Sequence, residues 1–154
     1  MLSLQDMNDM KYLILVSHGG LAEGLKSSLS MFASDKVDDV IAIGLKDGES
    51  LAGFSVEVKN VIASLDENDS VLVLADIVGG SPLTTVATVL EEFGKLENAT
   101  ILGGMNLTMA LTAVVMKDIL TGSELVSTIL NESSSALQEF EVGSDDNLNE
   151  EDDI

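Results

Sequence analysis

The chain has 154 residues, 45% of them apolar, with seven lysines, no arginine and 27 carboxylates, for a formal net charge of −20. That length supports one domain around one substantial core, and no internal repeat divides it. So negative a chain is a poor partner for nucleic acid; the lack of cysteine excludes disulfides and thiolate metal sites, and a single histidine implies no metal and no other cofactor.

Asp6 and Asp9 stand where a leader would carry basic residues, and the apolar runs stop short of a membrane span, so the expected location is cytoplasmic. Six carboxylates fall in the last ten residues; without them the chain still carries about −14. The surface itself is therefore acidic. Such a field speeds encounter with a basic protein and slows encounter with free anions, which argues against a bulk phosphate ester as the main substrate.

Residues 1–10 read as a flexible N-terminal segment. The apolar run Tyr12 to Ser17 predicts a first strand, followed by His18, Gly19-Gly20 and an amphipathic helix with Leu21, Leu25, Leu29 and Phe32 on one face. Val40 to Ile43 predicts a second strand, and Leu51, Phe54, Val58, Val61, Ile62 and Leu65 mark a second helix. Val71 to Asp76 is the third strand, leading into Ile77-Val78-Gly79-Gly80. A third helix then carries Leu83, Val86, Ala87, Leu90 and Phe93 inward, with Ser81 as N-cap, Pro82 at the first helical position and Gly94 closing it.

Ala99 to Leu102 is the fourth strand, Gly103-Gly104 a third permissive turn. A fourth helix starts near Asn106, and a fifth runs from Ser123 toward Leu137. Met105, Met109 and Met116 read as packing residues. Gln138 to Val142 alternates polar and apolar, which fits one more strand or a fraying helix. Residues 143–154 are polar and acidic and are expected to form a disordered tail.

Strands apolar on both faces, alternating with amphipathic helices, predict an open α/β domain: a mainly parallel sheet with helices on both faces and right-handed crossovers. Ligands on such sheets collect beyond the carboxyl ends of the strands, where strand order reverses. With order 2-1-3-4, His18 and Asp76 face each other at that point. A carboxylate there fixes the imidazole tautomer and leaves the other ring nitrogen free to attack phosphorus. Backbone donors near Gly19 and Gly80, at two helix starts, and the hydroxyls of Ser17 and Ser81 could hold the phosphoryl oxygens. Each serine also has a structural role open to it, strand edge for Ser17 and helix cap for Ser81. No GxGxxG, GxxxxGK[ST] or GxSxG pattern occurs to support nucleotide or esterase chemistry.

Taken together, Leu15-Val16-Ser17-His18-Gly19-Gly20-Leu21-Ala22-Glu23-Gly24-Leu25, Asp76-Ile77-Val78-Gly79-Gly80-Ser81-Pro82 and Gly103-Gly104-Met105-Asn106-Leu107 resemble the IIA component of the mannose family (mannose/sorbose type) of the bacterial sugar phosphotransferase system. The resemblance spans about residues 11–142. It implies that His18 receives a phosphoryl group from the phosphohistidine of HPr and hands it to a IIB component, touching the membrane only through a IIC/IID complex. It further implies that Asp76 partners His18, that Ser81 lies near the phosphoryl group, and that the protein is a homodimer exchanging a C-terminal strand, here Gln138 to Val142. Val78 stands where relatives often have an aromatic residue and Thr108 where proline is common. The chain is expected to be a free-standing IIA. Two alternatives resemble the same fold: a regulatory IIA-like protein whose phosphorylation state a partner senses, and the phosphocarrier subunit of a dihydroxyacetone kinase system, whose second motif usually lacks Gly-Gly-Ser-Pro.

Overall fold

The computed structural model describes residues 9–143. A four-stranded, all-parallel sheet runs in the order β2-β1-β3-β4, with β1 at Lys11–His18, β2 at Val40–Leu45, β3 at Ser70–Ala75 and β4 at Thr100–Gly103. The helices are α1 (Leu21–Leu29), α2 (Leu51–Ala63), α3 (Ser81–Glu92), α4 (Leu107–Met116) and α5 (Gly122–Ser135), with a 3-10 turn at Val37–Asp39 before β2. This is the architecture expected from the alternating patterns, strand order included.

Side chains alternate across a strand, so each strand feeds two cores. Leu13 and Leu15 of β1 join Leu72 and Leu74 of β3 beneath Leu29 of α1, Ala110 of α4 and Ile129 of α5. Ile14 and Val16 join Val73 and Ala75 on the other face, beneath Phe54 and Val58 of α2 and Val86 and Leu90 of α3. Burial on both faces is what makes these strands read as continuous apolar runs.

Some expectations shift. Gly80, not Ser81, is the N-cap of α3: it is extended, with φ −79° and ψ 165°, and its carbonyl accepts the Thr84 N–H at 3.0 Å and the Thr84 hydroxyl at 3.1 Å. Ser81 and Pro82 therefore occupy the first helical turn, where a missing N–H costs nothing. Phe32 lies past the end of α1 and Phe93 caps α3, both exposed, because each apolar pattern runs on beyond its last helical turn. Residues 138–142 form neither strand nor helix within the chain, and Phe140 and Val142 are exposed. Of the expected N-terminal segment, Met10 is instead tied down: its N–H donates to Asp69 Oδ1 at 3.0 Å and its carbonyl accepts the Ser70 N–H at 2.9 Å. Residues 1–8 and 144–154, with most of the expected acidic tail, lie outside the described residues.

The amino ends of the strands are braced by polar contacts. Lys95 Nζ donates to the carbonyls of Asp66 and Asp69, both at 2.8 Å, and the buried Lys117 ammonium pairs with Asp39 and Asp118. The carboxyl ends, by contrast, carry the glycine pairs and His18. No helix among the described residues is long and apolar enough to cross a membrane.

Candidate active site

His18 is the last residue of β1, and Asp76 follows β3 by one position. Because β1 and β3 are neighbours, the ladder carries on past the strand end: the Asp76 N–H donates to the Val16 carbonyl at 3.2 Å. That places the carboxylate beside the imidazole. Asp76 Oδ2 accepts the His18 backbone N–H at 2.9 Å and stands 2.8 Å from His18 Nδ1, while Oδ1 accepts the Ile77 N–H at 2.9 Å.

Burial, the largest single influence, pushes the Asp76 carboxyl up. The hydrogen bonds from the His18 N–H, the His18 ring and the Ile77 N–H, with the charge of His18 when protonated, outweigh it and hold the carboxyl below its ordinary 3.8. An ionised carboxylate only accepts, so the contact assigns the ring proton to Nδ1 and leaves the Nε2 lone pair unprotonated. The His18 side chain is 48% exposed and that of Asp76 13%, so the imidazole reaches solvent while its partner is largely covered.

Gly80 sets how near α3 can come. A Cβ built there would stand 3.0 Å from His18 Cε1 and 3.0 Å from Ile77 Cγ1, tighter than most such contacts, so the ring lies directly against the backbone that opens α3. No side chain caps that helix, and its first turn, with Ser81, begins beside the ring.

Two expected phosphoryl-binding residues are engaged elsewhere. Ser17 is fully buried; its hydroxyl accepts the Ala22 N–H at 2.8 Å and donates to the Gly19 carbonyl at 3.3 Å. The reason is the period of the strand: adjacent residues face opposite sides, so Ser17 belongs to the α1 side and His18 to the α3 side. The Gly19 N–H donates to the Leu45 carbonyl at 2.7 Å, extending the β1–β2 ladder, and is spent as a donor to a ligand. His18, Asp76 and Gly80 remain together, with Ser81 next to Gly80 in the chain.

A shallow depression of about 230 Å³ borders the turn after His18, lined by Gly19, Gly20, Glu23, Gly44, Lys46 and Asp47. Lys46 follows β2 at the same sheet end, and its ammonium donates to Glu57 at 3.1 Å. No motif in the sequence marks Lys46; its one signal is its place just past Leu45, the register partner of His18.

A family model, EIIA-man, described as the PTS system fructose IIA component, matches residues 12–130. The chain belongs to the EIIA-man family of phosphotransferase-system IIA components. It is 26% identical over 125 residues to the PTS system fructose-specific EIIA component of Bacillus subtilis (strain 168), which covers 81% of this chain and 83% of that protein. Among solved structures, the phosphotransferase system component EIIA from Streptococcus agalactiae is 26% identical, with a TM-score of 0.72 over 85% of this chain and 98% of its own. The mannose/sorbose specific IIA subunit from Enterococcus faecalis, 24% identical with a TM-score of 0.74, covers 88% of this chain and 98% of its own and shares the fold. This IIA component thus carries a phosphotransferase role in general terms, on the four-stranded parallel sheet described above.

Proposed function

We propose that this IIA component is a phosphocarrier that takes a phosphoryl group from phospho-HPr on His18 Nε2 and passes it to a IIB component. The observation that carries the reading is the 2.8 Å contact between His18 Nδ1 and Asp76 Oδ2. With Nδ1–H held by the carboxylate, the Nε2 lone pair attacks phosphorus in line; the new N–P bond forms as the donor's N–P bond breaks, and the departing imidazole keeps the bonding pair. The ring becomes cationic while phosphorylated, and Asp76 stabilises that charge without taking the proton. Transfer to IIB reverses these events.

One N–P bond replaces another of similar energy, so the step calls for alignment and charge neutralisation rather than a deep pocket. A half-exposed ring beside a shallow depression suits a donor that arrives on a protein. Gly80 and Ser81, at the uncapped start of α3, are the proposed holders of the phosphoryl oxygens. A basic partner supplies the guanidinium groups that an arginine-free chain lacks. The proposed working place is the cytoplasm, with membrane contact only through the IIC/IID complex.

A second copy of the chain is the proposed partner for residues 138–142, which form no strand on their own and leave Phe140 and Val142 exposed. Light scattering on the full chain reads this directly: a monomer at micromolar concentration overturns it.

The carrier reading is tested by incubating the protein with phosphoenolpyruvate, enzyme I and HPr. The expected product is an acid-labile, alkali-stable phosphoryl adduct that H18Q does not form. An unmodified wild type, or equal modification of H18Q, overturns the reading.

A further inference from the structure

On the carrier reading, catalysis depends on a 2.8 Å contact between side chains at the ends of two neighbouring strands, and the loop that Asp76 opens is exposed at its tip. Ile77 is 54% and Val78 78% exposed, so little packs over the segment from above. From below, it rests on β4. A Cβ built on Gly103, the last residue of β4, would overlap Val78 Cγ2 and would stand 3.2 Å from Val78 N and 3.3 Å from Val78 Cα. Val78 therefore sits where any other residue at 103 would place its side chain.

A second contact ties the same strand end to the other side of Asp76. Gly103 pairs with Ala75 in register, and the Met105 N–H, two residues on, donates to the Ala75 carbonyl at 3.0 Å. Asp76 is thus held between Ala75, bonded to the turn after β4, and Val78, lying on Gly103. We propose that Gly103 is a positioning residue: its bare Cα sets the height of the Asp76–Gly80 loop over β4 and so the alignment of the Asp76 carboxylate with His18 Nδ1.

Adding a methyl group at 103 forces either a turn of Val78, whose β-branched side chain is stiff at χ1, or a rise of the loop. The backbone contacts at 3.2 and 3.3 Å are tight but yield to a shift of a few tenths of an ångström, so most of the conflict lies with the valine methyl. Removing that methyl relieves it. The prediction is thus a paired one, in which a loss caused at 103 is recovered at 78.

The test compares wild type, G103A, V78A and G103A/V78A, each labelled with 15N-histidine. With one histidine in the chain, the spectrum reports a single imidazole. G103A is expected to shift the ring away from the Nδ1–H tautomer and to slow phosphoryl acceptance about 3- to 10-fold, less than the roughly 100-fold that a 1 Å misplacement can cost. V78A stays near wild type in tautomer, and the double variant recovers most of the loss in both readouts. Wild-type behaviour in G103A overturns the proposal, as does a double variant no better than G103A. If G103A does not fold, G103A/V78A must; failure of both also overturns it. The tautomer is read without phosphorylation, so a wild type that accepts no phosphoryl group defeats the carrier reading while the ring spectra still decide the role of Gly103.

Discussion

One oxygen of Asp76, Oδ2, serves His18 twice: it accepts the backbone N–H at 2.9 Å and faces ring Nδ1 at 2.8 Å. The backbone bond fixes where the histidine starts, and the ring bond fixes where it points. Residues 58 apart in sequence are brought together by the parallel pairing of β1 with β3.

Replacing the carboxylate is therefore expected to do more than weaken one bond. The carboxamide introduced by D76N can present its NH2 to the ring, which favours the tautomer with the proton on Nε2. We expect D76N to keep the fold and to slow phosphoryl acceptance about 10- to 100-fold, the range of a hydrogen bond to a charged group. A time course with phospho-HPr checks this; an unchanged rate removes Asp76 from the mechanism.

Acid should erase a defined part of the stability. The Asp76 carboxyl is held below its ordinary 3.8, so the unfolded chain binds that proton more readily than the folded one. Its contribution is complete above that ordinary value and is lost as pH falls through the lower folded one. Urea unfolding of wild type and D76N is expected to show the wild type more stable at about pH 5. The gap then closes below about 4. A gap that persists undiminished at about pH 2 contradicts the assignment.

Ser17 gives a contrasting case. S17A removes the acceptor of the Ala22 N–H and should cost about 1 kcal/mol, as loss of a helix cap does. At this chain length that lowers Tm by about 2–4 °C. Phosphoryl acceptance at a temperature where the variant is folded should match wild type. A slower rate in fully folded S17A returns the hydroxyl to the phosphoryl site.

The net charge of −20 makes docking sensitive to ionic strength. Raising salt from about 0.05 to 0.5 M shortens the screening length from about 14 to 4 Å. The bimolecular transfer rate from phospho-HPr is then expected to fall about tenfold, by loss of steering. A flat profile in stopped-flow or quench measurements removes electrostatic steering from the account.

Most of the fold was legible because the strands are apolar on both faces and the helices on one, so the two periods alternate plainly from Tyr12 to Leu137. His18 and Asp76 were legible for a related reason: each closes an apolar run, with a glycine pair directly after His18 and, two residues intervening, after Asp76. The serines and Gly19 were harder. Whether Ser17 faces the ligand depends on which side of β1 the α3 start lies, and the pattern of one strand does not contain that. The Gly19 N–H is engaged through the β1–β2 register, also a pairing property. The cap of α3 moved by one residue because proline fits either of the first helical positions, and helix ends are the least determined part of a pattern. Gly103 showed only as one of a glycine pair; that its hydrogen stands where Val78 needs space emerges when β4 lies beside β3.

With 48% of the His18 side chain open to solvent, nothing in the described chain shuts over the ring. On the proposed carrier reading, a phosphoryl group stored there faces the bulk liquid throughout its stay, so hydrolysis runs as a clock against delivery. A chain loaded in that way keeps its cargo only as long as water is slow, and on this reading the supply of acceptors decides how much of each charge reaches its destination.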